Sequence, residues 1–452
     1  MLVLKFGGTS VGVLAHAEQA LAIVRERSGS DAVVVVSALA GVTNTLVDAC
    51  RAGAPRRALL ARLRERHAGH ARALGLPAEL PDALLEELAA VLAGAAPDAA
   101  LGREARDRAL SYGERLSALI FAAALSARGT PARAVLAGDA GLVTDDRFGQ
   151  ASPLPGAEEH LARNLAVRAP LPVVTGFLGR TLDGRITTLG RGGSDYSAAI
   201  LGAALGASEI QIWTDTDGLL SADPRVVPEA RPVPRLSFAE ACELAYFGAR
   251  VLHPKTLLPA MERGIPVRIL NTTRPAEPGS LVTASAPARA EGWRVKSIAS
   301  KRGITAITIV STRMLLAHGF LARVFEVFGR HHVVVDLVTT SEVSISVTVD
   351  DTSRLPEALR ELEGIGRVEV RDGLAVVAVV GEGAPTQLGL AGHVFTLLGG
   401  IGVPVEMISQ GASRVNLSFV VSEGHAERVV RLLHRGLGLD VGSPALEATP
   451  GG

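Results

Sequence analysis

Residues 32–36 read AVVVV, an unbroken apolar run in which four of five side chains are β-branched. Successive side chains of a strand point to opposite faces, so such a strand has to be covered on both. The stretches "LVLKF" (2–6), "PVVTGF" (172–177) and "EIQIWT" (209–214) have the same character. Helical patterns lie between and after them, among them "AAILGAALGA" following Tyr196 and "SFAEACELAYFGARVL" from Ser237. The second opens with Ser237 and carries Glu240 three residues on, the pattern of a capping box. This alternation predicts an α/β domain over 1–285, with a mostly parallel central sheet between two layers of helices.

Two stretches depart from the pattern. Residues 50–110 are rich in Ala, Leu and Arg ("RRALLARLRERHAGHARAL"), interrupted by Pro55, Pro77, Pro81 and Pro97, and free of strand patterns. They read as a helical insertion with a solvated arginine face. Residues 271–292 concentrate Pro, Gly, Ser and Ala and read as the end of the first domain plus a linker.

Beyond the linker the chain repeats itself. "ITAITIVS", "GFLARVFEVFGRH", "VVVDLVTTS", "VSISVTVD", "LPEALRELEGI" and "RVEVRDG" spell strand, helix, strand, strand, helix, strand. A second copy starts at "LAVVAVVGEG"; Val324-Phe325 and Val394-Phe395 stand seventy positions apart, as do Val335-Asp336 and Val405-Glu406. Two βαββαβ units are expected, at 303–373 and 374–442. The second lacks a final strand, and "VKSIASKR", within 294–302, is the candidate to complete it and avoid an open sheet edge.

Composition removes several function classes. Lys plus Arg and Asp plus Glu each number 46, so no global field favours nucleic acid or an anionic membrane. No apolar run approaches the ~20 residues of a membrane span. Two widely separated cysteines, Cys50 and Cys242, and a start without a secretory pattern lead to the expectation of a soluble cytoplasmic protein.

The chemistry concentrates in loops after strands, where ligands of open α/β sheets collect. "KFGGTS" (5–10) offers the Lys5 ammonium, a backbone open to close approach at Gly7 and Gly8, and donors at Thr9 and Ser10. It is not a P-loop, and no GxGxxG follows a strand. "SALAGVTN" brings Thr43, "GERLSA" puts Glu114 near a helix start, and "WTDTDGLLSADPRV" brings Asp215, Asp217, Asp223 and Arg225. Asp217 and Asp223 fit turn-shaping as well as binding, and His253 before Pro254 reads as structural. "GRGGSD" (190–195) sets Arg191 and Asp195 in a pliable loop, one cation and one anion, as a zwitterionic ligand requires.

In order and spacing, "KFGGTSV", "GRGGSD", "WTDTDGL…ADPR" and "FGARVLHP" resemble the signatures of aspartate kinases of the amino-acid kinase superfamily, nearest the lysine-sensitive monofunctional type. The repeated tail resembles their paired ACT domains. The resemblance implies a three-layer αβα kinase fold with two ferredoxin-like ACT units. It also implies transfer of the ATP γ-phosphoryl group to the β-carboxylate of L-aspartate, with Mg2+, opening lysine, threonine and methionine biosynthesis. Lys5 and Asp195 would be catalytic. Thr43, Glu114, Phe177, Arg191, Gly192 and Ser194 would bind aspartate. Lys5, Gly7, Gly8, Thr9, Thr214, Asp215, Arg225 and Arg250 would bind the nucleotide, with no metal ligand from a side chain.

The same resemblance implies an effector site at Met314, Val335, Asp336, Thr340, Ser341 and Glu342, with lysine the first candidate effector and threonine the second. It further implies a homodimer or homotetramer through the ACT units. Four positions depart from the pattern: Leu220 for a tyrosine beside adenine, Arg250 for a lysine, and Ala317 and Val334 for serines. Rival readings are another kinase of the superfamily, disfavoured by the double ACT tail, and a non-catalytic amino-acid sensor, disfavoured because Lys5, Arg191 and Asp195 are all present.

Overall fold

The computed structural model describes residues 1–440 apart from 28, 30, 97, 249–253, 289–291, 315–317 and 411–413. Arg250, His253 and Ala317 therefore lie outside the described residues. Two compact units emerge. The first runs to Leu219 and takes in a short strand at 235–237 and the stretch from Pro254 to Ser285. The second takes Leu220–Val233, most of the helix Phe238–Phe247 and the described residues after Ser285.

The first unit contains strands β1 (Leu2–Phe6), β2 (Ala32–Val36), β3 (Ala132–Val135), β4 (Leu171–Thr175), a hairpin of β5 (Leu178–Arg180) and β6 (Ile186–Thr188), then β7 (Glu209–Thr214), β8 (Arg235–Ser237), β9 (Val267–Asn271) and β10 (Ser280–Thr283). Eight of them form one sheet in the order β3-β4-β2-β1-β7-β9-β10-β8. Every pairing is parallel except β9 with β10. Alternation divides the central strands between two cores. Leu4, Phe6, Val34 and Val36 join a cluster with the long helix Arg103–Ala127. Val3, Val33 and Val35 are buried on the other face, and the helix Gly193–Leu205 packs on β1, β2 and β7.

Helices Arg56–Ala73 and Asp82–Ala93 fill the stretch expected to be an insertion, and their Leu59, Leu63, Leu85 and Leu88 join the first of those cores. The helix from Arg103 begins inside that stretch and runs without a break for 25 residues. Glu114 thus sits mid-helix, not near a helix start as expected. No proline interrupts 103–127, and Gly113 is kept for contact: a Cβ there would lie 2.8 Å from that of Ala38.

The second unit holds β11 (Ser297–Val310), β12 (Val338–Thr340), β13 (Ser344–Val349), β14 (Arg367–Val380), β15 (Met407–Ser409) and β16 (Asn416–Ser422), ordered β12-β13-β11-β14-β16-β15 and antiparallel throughout. β11 and β14, 14 residues each, serve both repeats. Residues Ser297–Arg302 pair with Ala375–Val380 beside β16, and Ala306–Val310 with Arg367–Arg371 beside β13. Each half is therefore a four-stranded sheet; the first is built from its own strands, and the second is completed by Ser297–Arg302, which precede the first in sequence. Helices Phe320–Arg330 and Leu355–Leu362 close one core, Leu390–Gly400 and Ala426–Gly436 the other. The strands expected at 333–341 and 403–411 shrink to three residues each. In the first, Thr348 takes the Asp336 N–H on its carbonyl and the Leu337 N–H on its hydroxyl, which breaks the regular ladder.

Candidate active site

The ends of β1, β2, β4 and β7 supply the candidate residues, and three close backbone approaches fix their arrangement. At the end of β1, Gly7 N–H donates to the Trp213 carbonyl on β7 (3.0 Å), and the short helix Gly8–Gly12 follows. A Cβ on Gly8 would stand 2.8 Å from the Ala38 carbonyl oxygen, so only glycine lets this turn rest on the loop after β2. After β4, a Cβ on Gly176 would meet the Ser194 side chain at 2.6 Å, and one on Gly193 would meet the Phe177 ring at 2.6 Å. Phe177 itself has φ +67°, uncommon for a bulky residue. Its N–H donates to Ser197 Oγ (3.0 Å), which in turn donates to the Gly193 carbonyl (2.9 Å). Backbone strain is thus held in place by the first turn of the helix that carries Asp195.

The loop Gly190–Gly192 uses two left-handed glycines, at φ +79° and +70°, to deliver Arg191 and turn into that helix. Arg191 is exposed and makes no ion pair with a described residue. Asp195 lies 2.6 Å from the Lys5 ammonium through Oδ1, off the hydrogen-bonding direction, with both side chains nearly buried. Lys5 shares the sheet face of Val3, the face covered by this helix, which is why the two meet.

Glu114 reaches the site from the opposite side of the sheet. Oε1 accepts the Ala38 N–H (3.1 Å), while Oε2 is buried without a partner. Loss of water around the carboxyl, only partly offset by the Ala38 N–H, pushes it up to about 8 from 4.5. At neutral pH this carboxyl holds its proton.

The remaining candidates occupy simpler positions. Thr43 is half-buried in the first turn of the helix Val42–Ala49, and Thr9 is half-buried in the helix after Gly7. At the end of β7, Thr214 hydroxyl donates to Asp215, whose side chain is exposed (3.3 Å). Asp217 accepts from Asn271 (2.7 Å) and pairs with Arg274. In the second unit, Arg225 is paired with Asp223, which also accepts the Arg225 N–H (2.9 Å) and so shapes a turn.

One residue of this region escaped the sequence reading. Asp107, buried on the same helix as Glu114 and seven residues before it, accepts the N–H groups of Thr188 (2.7 Å) and Gly149 (2.8 Å) through Oδ2. It anchors the chain two residues ahead of Gly190. A seven-residue spacing on one helix face was the available signal.

The effector candidates separate. Ser341 and Ser344 hydroxyls bond at 2.7 Å at the turn between β12 and β13, and Ser311 N–H donates to the Val343 carbonyl (2.8 Å) three residues before Met314. Val335 and Asp336 lie at the other end of β12. Four extended residues, about 13 Å, separate Asp336 from Thr340. Glu342 is exposed, whereas Asp336 is engaged by Tyr246 and Lys301.

Residues 1–271 match the Amino acid kinase family, and residues 307–364 and 377–437 match the ACT domain. The chain is 40% identical to the lysine-sensitive aspartokinase 3 of Escherichia coli, over 97% of this chain and 99% of that protein. The chain belongs to the aspartokinases. Among solved structures of the family, E. coli aspartokinase III in complex with aspartate and ADP (R-state) superposes with a TM-score of 0.86 at 38% identity, covering 97% of this chain and 99% of that one. The same enzyme in complex with lysine and aspartate (T-state) gives 0.76 at 37% identity, over the same 97% and 99%. Among the described residues of this family member, no helix is long and apolar enough to cross a membrane.

Proposed function

We propose that this aspartate kinase transfers the γ-phosphoryl group of ATP to the β-carboxylate of L-aspartate, giving 4-phospho-L-aspartate for amino-acid biosynthesis, through partner exchange at Lys5. The observation that carries the reading is the Lys5–Asp195 contact beside the glycine turns. Without substrate, the Lys5 ammonium rests on Asp195. An aspartate whose α-ammonium takes over Asp195 and Glu114 releases Lys5 to face the transferring phosphoryl oxygens. Arg191, unpaired by any described residue, takes the α-carboxylate in a bidentate grip, and Thr43, Phe177, Gly192 and Ser194 shape the pocket.

The acceptor carboxylate, with an ordinary pKa near 3.9, is ionised at pH 7 and needs no general base. The barrier is anion–anion repulsion, so positioning and charge compensation do most of the work. A unit cation about 4 Å from a phosphate contributes about 4 kcal/mol at an effective dielectric near 20. Gly7, Gly8 and Thr9 offer backbone to the phosphates, with Thr214, Asp215, Arg225 and Arg250 assigned to the nucleotide by the family resemblance.

Among the described residues, no three His, Cys, Asp or Glu side chains converge to hold a metal. That donor set fits a magnesium carried by phosphate oxygens and water, with at most one or two carboxylates from the protein. When bound, the ion would neutralise phosphate charge.

The ADP complex of the E. coli relative supports ATP as donor, and its lysine complex supports lysine as feedback effector through the ACT units, with threonine as the second candidate. Exposed Leu321, Phe325, Val334 and Val343 on the first ACT unit support association with a second copy, read as twice the monomer mass by light scattering. The free thiols of Cys50 and Cys242 suit a reducing compartment and support a cytoplasmic location. Trapping with hydroxylamine tests the reaction. ATP-dependent hydroxamate is expected from aspartate and not from glutamate or UMP, with Lys5→Met slowing turnover; equal product from glutamate overturns the assignment.

A further inference from the structure

Within the second unit, a cavity of about 310 Å³ is lined by Tyr246, Lys301, His332, Asp336, Asp350 and Arg354, among others. It is at the lower end of ligand-pocket sizes, suited to one small metabolite. Its floor is tied to the sheet, where Asp336 N–H donates to the Thr348 carbonyl (2.8 Å) near the end of β13. The Asp336 side chain is 1% exposed. Its Oδ1 accepts from the Tyr246 hydroxyl, and its Oδ2 faces the Lys301 ammonium at 3.5 Å.

The same ammonium sits 2.7 Å from Asp350 Oδ2 and 4.5 Å from the centre of the Tyr246 ring. Two carboxylates and an aromatic face around one ammonium are the components of a receptor for a primary alkylammonium. Lys301 is 20% exposed and belongs to the stretch of β11 that meets a register shift after Arg302. A flexible four-carbon stem at such a place can leave the site without breaking a strand.

We propose that Asp336, Asp350 and Tyr246 form an alkylammonium site in which Lys301 is a tethered ligand that competes with the side-chain ammonium of free lysine. The inference rests on the reading that a free amino acid regulates through the first ACT unit. The butylammonium stem of Lys301 is chemically the side chain of free lysine, so a site that accepts one accepts the other. Threonine carries only an α-ammonium on a short branched body and lacks the reach. Asp336, Asp350 and Asp351 also outnumber Lys301 and Arg354 in the lining, a net negative charge that draws a cation toward the cavity.

A tethered competitor lowers apparent affinity by the fraction of molecules in which the carboxylates are vacant. Lys301 therefore sets the lysine concentration at which the enzyme responds. Removing its charge leaves the two carboxylates without a tethered cation to displace, and an arginine in its place keeps a cation there.

The test is a lysine titration of full-length wild type, K301M, K301Q and K301R. It is read by hydroxamate formation, normalised to each protein's own uninhibited rate, and by calorimetric binding of lysine. K301M and K301Q are expected to respond at lysine concentrations at least about fivefold lower than wild type, with K301R unchanged or higher. Should one neutral variant fail to fold, the other carries the comparison. Wild type inhibited by lysine, with folded neutral variants that match it or need more lysine, overturns the tethered-ligand inference alone. Wild type that neither binds nor responds to lysine overturns the effector reading, and this inference with it.

Discussion

Replacing Glu114 by glutamine preserves the shape of a buried side chain and its acceptor for the Ala38 N–H, and removes one titrating proton. In the folded chain, burial raises this carboxyl from 4.5 to about 8. Between those values the native state binds more protons than the unfolded chain, so stability is greatest below the lower value and is lost as pH rises through the upper one. The loss is about 1.4 kcal/mol per pH unit, on the order of 5 kcal/mol across the window. Glu114→Gln carries no such dependence. Urea unfolding of both proteins from pH 5 to 8.5 is expected to show the variant gaining on wild type by about that slope, flattening near pH 8. Parallel stability curves would refute the assignment of a buried, neutral Glu114.

The same group makes substrate binding report on itself. A carboxyl half-titrated near 8 is about nine-tenths protonated at pH 7, and an arriving α-ammonium stabilises its ionised form. Aspartate binding at pH 7 is expected to release close to one proton in wild type and none in Glu114→Gln. Calorimetry in buffers of different ionisation enthalpy counts that proton. Equal release from both proteins would remove Glu114 from the substrate subsite while leaving the stability argument intact.

Three further outcomes follow from the site. Arg191→Ala is expected to raise the KM for aspartate by roughly tenfold to a hundredfold, the loss of a charged bidentate contact, with the KM for ATP little changed. Steady-state kinetics with each substrate varied in turn checks this. Asp107→Ala strands two N–H groups and should cost about 2–4 kcal/mol in urea unfolding and raise the aspartate KM, with Asp107→Asn recovering part of both. Gly176→Ala drives a methyl into Ser194 and should cost about 1–3 kcal/mol, with a higher KM for aspartate; thermal melting and the same kinetics read it.

The parts of this fold that were legible are those in which a residue's own backbone demands are written in its type. AVVVV has to be a doubly covered strand, and Gly190 and Gly192 have to be where the chain turns left-handed. The misreadings follow from the same rule. Gly303 and Gly373, at φ +70° and +71°, look like stops between strands, yet they sit inside β11 and β14, where each strand passes from one half to the other. A glycine marks a backbone angle; whether the chain breaks or bulges there depends on a neighbouring strand. Asp107 showed no more than a helical spacing from Glu114, for a related reason. Its partners are backbone N–H groups 81 and 42 residues away, which carry no residue signature.

Three carboxylates assigned to ligand ammonium groups are compensated in two ways before any ligand arrives, two by a lysine and one by a proton, and the difference tracks their neighbours. Asp195 holds the Lys5 ammonium and Asp336 faces that of Lys301. Glu114, fully buried and with no cation beside it, holds a proton. A bare charge at such depths costs several kcal/mol, more than a marginally stable fold tolerates at three places. On the proposed assignments, ligand binding in this chain is exchange, not addition: an incoming ammonium displaces a lysine or a proton, gains less than it would at an open carboxylate, and leaves behind a freed lysine or a released proton. At Asp195 the group so freed would be the cation proposed for phosphoryl transfer, so that under this reading the energetic cost of substrate capture and the arming of Lys5 are the same event.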